Sequence, residues 1–181
     1  MSPLTHTTAV VLIPPEQAWE PIQAIRRKHD RQVRRWMPHV TILYPFRPQE
    51  EFAALAEGFS GALRGVAPFE VRLAEFRHFR HGPTSFTVYL TPEPSQPILD
   101  LQRVLLSITP DCDDTSRHPG GFHPHLSVGQ FRGSQEALRE LLDSLRSTWS
   151  PLNFQAREVS LIWRGEPPDD VFRVGRKVGL G

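Results

Sequence analysis

Two histidines, each followed two positions later by a hydroxyl side chain, occupy matching surroundings in opposite halves of this 181-residue chain. Pro38 to Phe52 reads PHVTILYPFRPQEEF and Pro124 to Leu138 reads PHLSVGQFRGSQEAL, and the copies align throughout once one residue is skipped in the second. An imidazole with an ordinary pKa near 6.5 holds both protonation states at neutral pH, so His39 and His125 together can supply a base and an acid to one reaction. Thr41 and Ser127 can each donate a hydrogen bond to a negatively charged oxygen beside them.

For that chemistry the four side chains must share a surface. HVTIL and HLSV are short, aliphatic and partly β-branched, which predicts a strand for each. Faces alternate along a strand, so His39 and Thr41 point one way, roughly 7 Å apart, while Val40 and Ile42 point to a core. The same holds for His125 and Ser127 against Leu126 and Val128. The repeat also extends upstream, where VLIPPE (Val11 to Glu16) is echoed by VYLTPE (Val88 to Glu93). A duplicated unit with one histidine in each copy predicts two imidazoles facing each other across a pseudo-twofold axis.

With its two flanked His-x-Thr/Ser motifs, the sequence resembles the 2H phosphoesterase superfamily, and within it the 2'-5' RNA ligase and 2',3'-cyclic phosphodiesterase branch. The resemblance implies hydrolysis of a 2',3'-cyclic phosphate, on an RNA end or a cyclic nucleotide, to a 2'-phosphate, with no metal or other cofactor. It implies His39 as acid, His125 as base, and Thr41 and Ser127 as phosphate-binding residues. The resemblance also implies 2'-5' RNA ligation by the same two histidines. A noncatalytic RNA or nucleotide-binding module on the same fold is the alternative, though both motifs are intact.

The remaining sequence fits one bilobal domain over residues 1–181, with a first repeat at about 7–80 and a second at about 85–180. Strands are expected at Thr7 to Ile13, His39 to Tyr44, Phe69 to Phe79, Ser85 to Thr91, Asn153 to Arg164 and Val171 to Leu180. Helices are expected from Glu16 to about His29, from Gln49 to about Phe59 ending at Gly58 and Gly61, from Pro97 to Ile108, and after a Ser134 cap. A change of phase at Ala74 predicts a bulge. The expected class is α+β, with two pseudo-twofold-related lobes, antiparallel sheets facing a central groove and helices outside. Thr109 to Phe122, rich in turn residues, reads as a flexible loop or a lid.

A net charge of +1 announces no general affinity for nucleic acid, so any basic surface is local. RRKHDRQVRRW (Arg26 to Trp36) is one such segment. There Arg34 and Arg35 are candidate phosphate contacts and Trp36 a candidate stacking platform for a base, against the plainer reading of a solvated helix end. His118, His123 and His125 with Cys112 offer a competing zinc site, but without tight ligand spacing and leaving His39 idle. One cysteine, an amino terminus unlike a secretory signal and no long apolar run predict a cytoplasmic protein with no membrane partner. A monomer is expected.

Overall fold

The computed structural model describes residues 2–181. Its elements follow one another as β1 (Thr8–Leu12), α1 (Trp19–His29), β2 (Val40–Leu43), α2 (Phe52–Leu63), β3 (Phe69–Gly82), β4 (Ser85–Glu93), α3 (Gln96–Ile108), β5 (Leu126–Arg132), α4 (Gln135–Thr148), β6 (Leu152–Ala156), β7 (Glu158–Trp163) and β8 (Arg173–Gly179). The strands form two four-stranded antiparallel sheets, ordered β2-β1-β7-β8 and β5-β4-β3-β6. This is the expected α+β class.

Alternation along the motif strands places Val40, Ile42, Leu126 and Val128 in the core with no exposure. They join one continuous apolar cluster that runs through both sheets and takes in Ile22 of α1, Phe59 of α2, Leu105 of α3 and Leu142 of α4. The opposite face of the first sheet carries a smaller cluster, where Ala9, Val11, Ile162 and Phe172 pack with Trp36, Met37 and Tyr44. Side chains that alternate out of the main core therefore meet an apolar floor rather than open water.

The duplication persists in the ladder irregularities. β1 pairs with β2 through Val10 and Leu43, then Val11 and Thr41, skipping Ile42. β4 pairs with β5 through Val88 and Gly129, then Tyr89 and Ser127, skipping Val128. The same bulge thus sits beside each motif hydroxyl. It equates Val11 with Tyr89, whereas the alignment of VLIPPE with VYLTPE equates Val11 with Val88. That alignment is one residue out of register, a slip that would turn every side chain of the strand to the wrong face.

Several other expectations need correction. The expected strand from Asn153 to Arg164 is two strands in different sheets: β6 pairs with β3, and β7 pairs with β1 and β8. The crossover falls at Arg157, where the residues facing the main core switch from Phe154 and Ala156 to Val159 and Leu161. α2 does not end at its glycines. A Cβ on Gly58 would lie 3.4 Å from Ile108 Cγ2, so this glycine lets α2 approach α3, and Gly61 faces open space.

The segment from Thr109 is also more ordered than a free loop. Cys112 is wholly buried, and Thr115 Oγ1 donates to the Ile42 carbonyl at 3.0 Å, tying the segment to β2. The phase change at Ala74 is a bulge, as expected. Ser134 Oγ accepts the Ala137 N–H at 3.1 Å and caps α4.

Candidate active site

β2 and β5 are edge strands of their own sheets, and they approach each other across the groove. His39 and His125 sit immediately before them, both half-buried. His39 Nδ1 lies 2.7 Å from the Met37 carbonyl oxygen and His125 Nδ1 lies 2.8 Å from that of His123. A carbonyl can only accept, so each Nδ1 carries the proton in the neutral ring and each Nε2 is left with its lone pair. In both copies the orienting carbonyl belongs to the residue two positions earlier. The duplication has preserved the tautomer as well as the residue.

Aromatic rings brace both imidazoles. Trp36 stacks on His39 with centroids 4.6 Å apart and an interplanar angle of 17°, and on Phe172 at 3.7 Å. His125 meets the rings of Phe79 and Tyr89 at 4.9 Å and 5.4 Å, both edge-on, while those two rings stack at 4.4 Å. The hydroxyls of Thr41 and Ser127, on the groove face, are half-buried, and among the described residues neither is engaged by another protein group.

Burial dominates the electrostatics of both histidines. Desolvation pushes His39 down to about 4, with the Met37 hydrogen bond opposing and the charges of Arg26 and His125 adding to the fall. His125 is lowered by desolvation first, then by the neighbouring His118 and His123, against the His123 carbonyl. The His125 ring is near enough for its charge to add to the lowering of His39. At neutral pH the free site holds two neutral imidazoles.

Comparison with known proteins fits this geometry. Residues 14–168 match the 2'-5' RNA ligase superfamily. A Staphylococcus haemolyticus protein provisionally named a phosphoesterase is 26% identical over 161 residues, covering 88% of this chain and 91% of its own. Among solved structures, TT0787 of Thermus thermophilus superposes with a TM-score of 0.62 at 21% identity, covering 96% of this chain and 97% of that one. E. coli LigT, crystallised with 3'-AMP, gives 0.62 at 18% identity and covers 98% and 99%.

The chain belongs to the 2'-5' RNA ligase superfamily. Its class is therefore that of the 2H phosphoesterases, as the two motifs imply, and the fold is the one seen in LigT.

Against that membership, the basic segment before His39 looks different from its sequence. Arg26 is buried, with its Nε 2.8 Å from Asp30 Oδ2 and a second donor on the Trp36 carbonyl at 2.8 Å. Arg34 and Arg35 both clasp the buried Asp170 at 2.6 Å. Arg34 holds that carboxyl down to about 2, with Arg35 adding to the effect. Much of the segment's charge is thus spent internally, and Trp36 is occupied by its own neighbours. These contacts tie the segment carrying Trp36, and through it the His39 ring, to the chain near β8.

Sequence reasoning missed Asp170, because a partner 135 positions away from Arg35 leaves no local signal. It also missed Tyr89 and Phe79. Tyr89 was detectable from the repeat once the register was corrected, since it takes the place of Val11. The residues of the zinc alternative are not drawn together: among the described residues no group of three His, Cys, Asp or Glu side chains is placed to hold a metal ion. Among the same residues no helix is long and apolar enough to cross a membrane.

Proposed function

We propose that this phosphoesterase hydrolyses a 2',3'-cyclic phosphate, at an RNA end or on a nucleotide, to a 2'-phosphate by metal-independent acid and base catalysis. The observation that carries this reading is the matched pair of carbonyl-bound Nδ1 atoms, which leaves two Nε2 atoms with free lone pairs beside one groove. His125 Nε2 takes a proton from water as the water oxygen bonds to phosphorus. The bond from phosphorus to the ribose 3' oxygen breaks, and His39 Nε2 gives that oxygen a proton. Charge on the nonbridging oxygens is held by Thr41 and Ser127, whose hydroxyls are free to donate.

His39 is neutral in the free site, so its proton must arrive with the anionic substrate. Trp36 keeps that ring oriented, and Arg34 and Arg35, clasped to Asp170, hold the segment that carries Trp36 in place. LigT has been crystallised with 3'-AMP and with phosphate, groups of the kind this reaction handles, which supports the reading. With the 5' hydroxyl of a second RNA end in place of water, the same steps join the two ends through a 2'-5' bond, as the P–O3' bond breaks. The protein acts as a monomer in the cytoplasm in this reading.

The test is turnover of 2',3'-cyclic nucleotides with the product isomer resolved. Release of the 2'-phosphate, unaffected by chelators, is the expected outcome. Activity lost to a chelator and restored by zinc would overturn the mechanism. Tight binding of the cyclic nucleotide without turnover would favour the noncatalytic module instead.

A further inference from the structure

A cavity of about 530 Å³ opens at the far end of β4 and β5, outside the two-histidine site. That size is typical of a small-ligand site. Strand β4 measures its distance from the motif. Ser85, Thr87 and Tyr89 share one face, and they stand in register with Arg132, Gln130 and Ser127 of β5. Each step of two residues spans about 7 Å, so the cavity begins about 7 Å from Tyr89 and reaches about 14 Å. It lies along the same face, in line with the site.

The fixed charge in its lining is positive: Arg31 and Arg132 contribute to it, beside the imidazoles of His29 and His81, and no carboxylate does. The guanidinium groups of Arg31 and Arg132 are exposed and, among the described residues, make no ion pair. The Arg31 N–H donates to Gln130 Oε1 at 3.1 Å, which holds that segment against β5. His81 Nε2 lies 2.8 Å from Thr87 Oγ1.

The internal repeat provides a control. The counterpart of Arg132 is Arg47, which is buried and clasps Asp111 at 2.6 Å. A cavity at the corresponding end of β1, about 300 Å³, mixes Arg164 with Glu50 and so has opposed charges. Duplication supplied two equivalent places, and only the second keeps uncompensated positive charge. Folding does not need that charge. An anion does.

We propose that this cavity binds the internal phosphodiesters of a single-stranded oligonucleotide whose terminal cyclic phosphate occupies the two-histidine site. The inference rests on the proposed hydrolysis and deepens it by naming a strand end, rather than a free mononucleotide, as the substrate class. Arg31 and Arg132 take the phosphates, and the chain leaves the site along β4 and β5 rather than along β1 and β2.

The experiment compares a short oligoribonucleotide ending in a 2',3'-cyclic phosphate with the 2',3'-cyclic mononucleotide, for the native protein and for Arg31→Ala with Arg132→Ala. Each single-strand phosphate contact contributes about 0.7 to the slope of log affinity against log salt, so removing both arginines should flatten the oligonucleotide slope by about 1.4. The preference in kcat/KM for the oligonucleotide over the mononucleotide should fall about tenfold. Arg132→Lys, which keeps the charge, should retain the slope.

An unchanged slope and preference in the double variant would overturn the subsite. Should the native protein hydrolyse neither substrate, the functional reading fails separately. Fluorescence anisotropy of the same oligonucleotide then decides the subsite alone, upheld by a flatter slope in the double variant and refuted by an equal one.

Discussion

Binding of inorganic phosphate should put a proton on His39. In the free protein its pKa is about 4, so at pH 7 only about one imidazole in a thousand is charged. A phosphate anion about 4 Å from the ring attracts a positive charge by about 4 kcal/mol at an effective dielectric of 20. At about 1.4 kcal/mol per pKa unit this lifts His39 by about three units, to about 7. Half of the bound population would then be protonated at neutral pH, and the acid is created by the arrival of its substrate. The assay is an NMR titration of the His39 ring with and without phosphate, assigned with His39→Gln. Calorimetry in two buffers of different ionisation enthalpy should show net proton uptake on binding. A free His39 that titrates near 6.5, or a ring unmoved by phosphate, would refute the reasoning. The sign for stability follows from the same shift. With its folded pKa below 6.5, the neutral ring contributes stability above that pH, lost as pH falls from 6.5 towards 4, and phosphate should reduce the loss.

His39→Ala and His125→Ala should each lower turnover of a cyclic nucleotide by roughly 10²- to 10⁴-fold, read from initial rates. Thr41→Ala or Ser127→Ala should each cost about 1.5–3 kcal/mol in kcat/KM, and full activity in the double variant would exclude their role as charge-stabilising donors. Gly129→Ala brings a Cβ to 2.6 Å from His29 Cβ and 2.9 Å from its carbonyl oxygen, so α1 must move off β5. Thermal or urea denaturation should show a loss of about 1–3 kcal/mol. Asp170 contributes stability above its ordinary pKa of 3.8 that is lost as pH falls towards about 2. That portion of the acid denaturation curve should disappear in Asp170→Asn.

The motif residues were legible because each signal was local and occurred twice. Alternation in HVTIL and HLSV is enough to place Val40 and Leu126 in a core and Thr41 and Ser127 on a groove. Long-range partners leave no such trace. Arg34 and Arg35 read as free charge until Asp170 is folded against them, and Arg47 and Arg132 look equivalent until Asp111 takes one of them. Gly58 looks like a helix end, although a glycine that admits a neighbouring helix has the same letter. The crossover at Arg157 was hidden because a strand that changes sheets without a turn keeps its residue types and shifts only its phase. That shift, from Leu152, Phe154 and Ala156 to Val159, Leu161 and Trp163, was there to be read in the apolar residues.

The sheet crossing has a consequence for how the molecule can be taken apart. A cut in the turn between β3 and β4 yields one piece with β1, β2 and β3 and another with the remaining strands. The first piece lacks β7, the inner partner of β1, and also β4, the inner partner of β3. Neither piece owns a complete sheet, and each carries one of the two histidines. Expressed separately they should remain unstructured and inert, and expressed together they should dock by trading strands. The pair would make a complementation reporter in which activity returns only when both fragments meet.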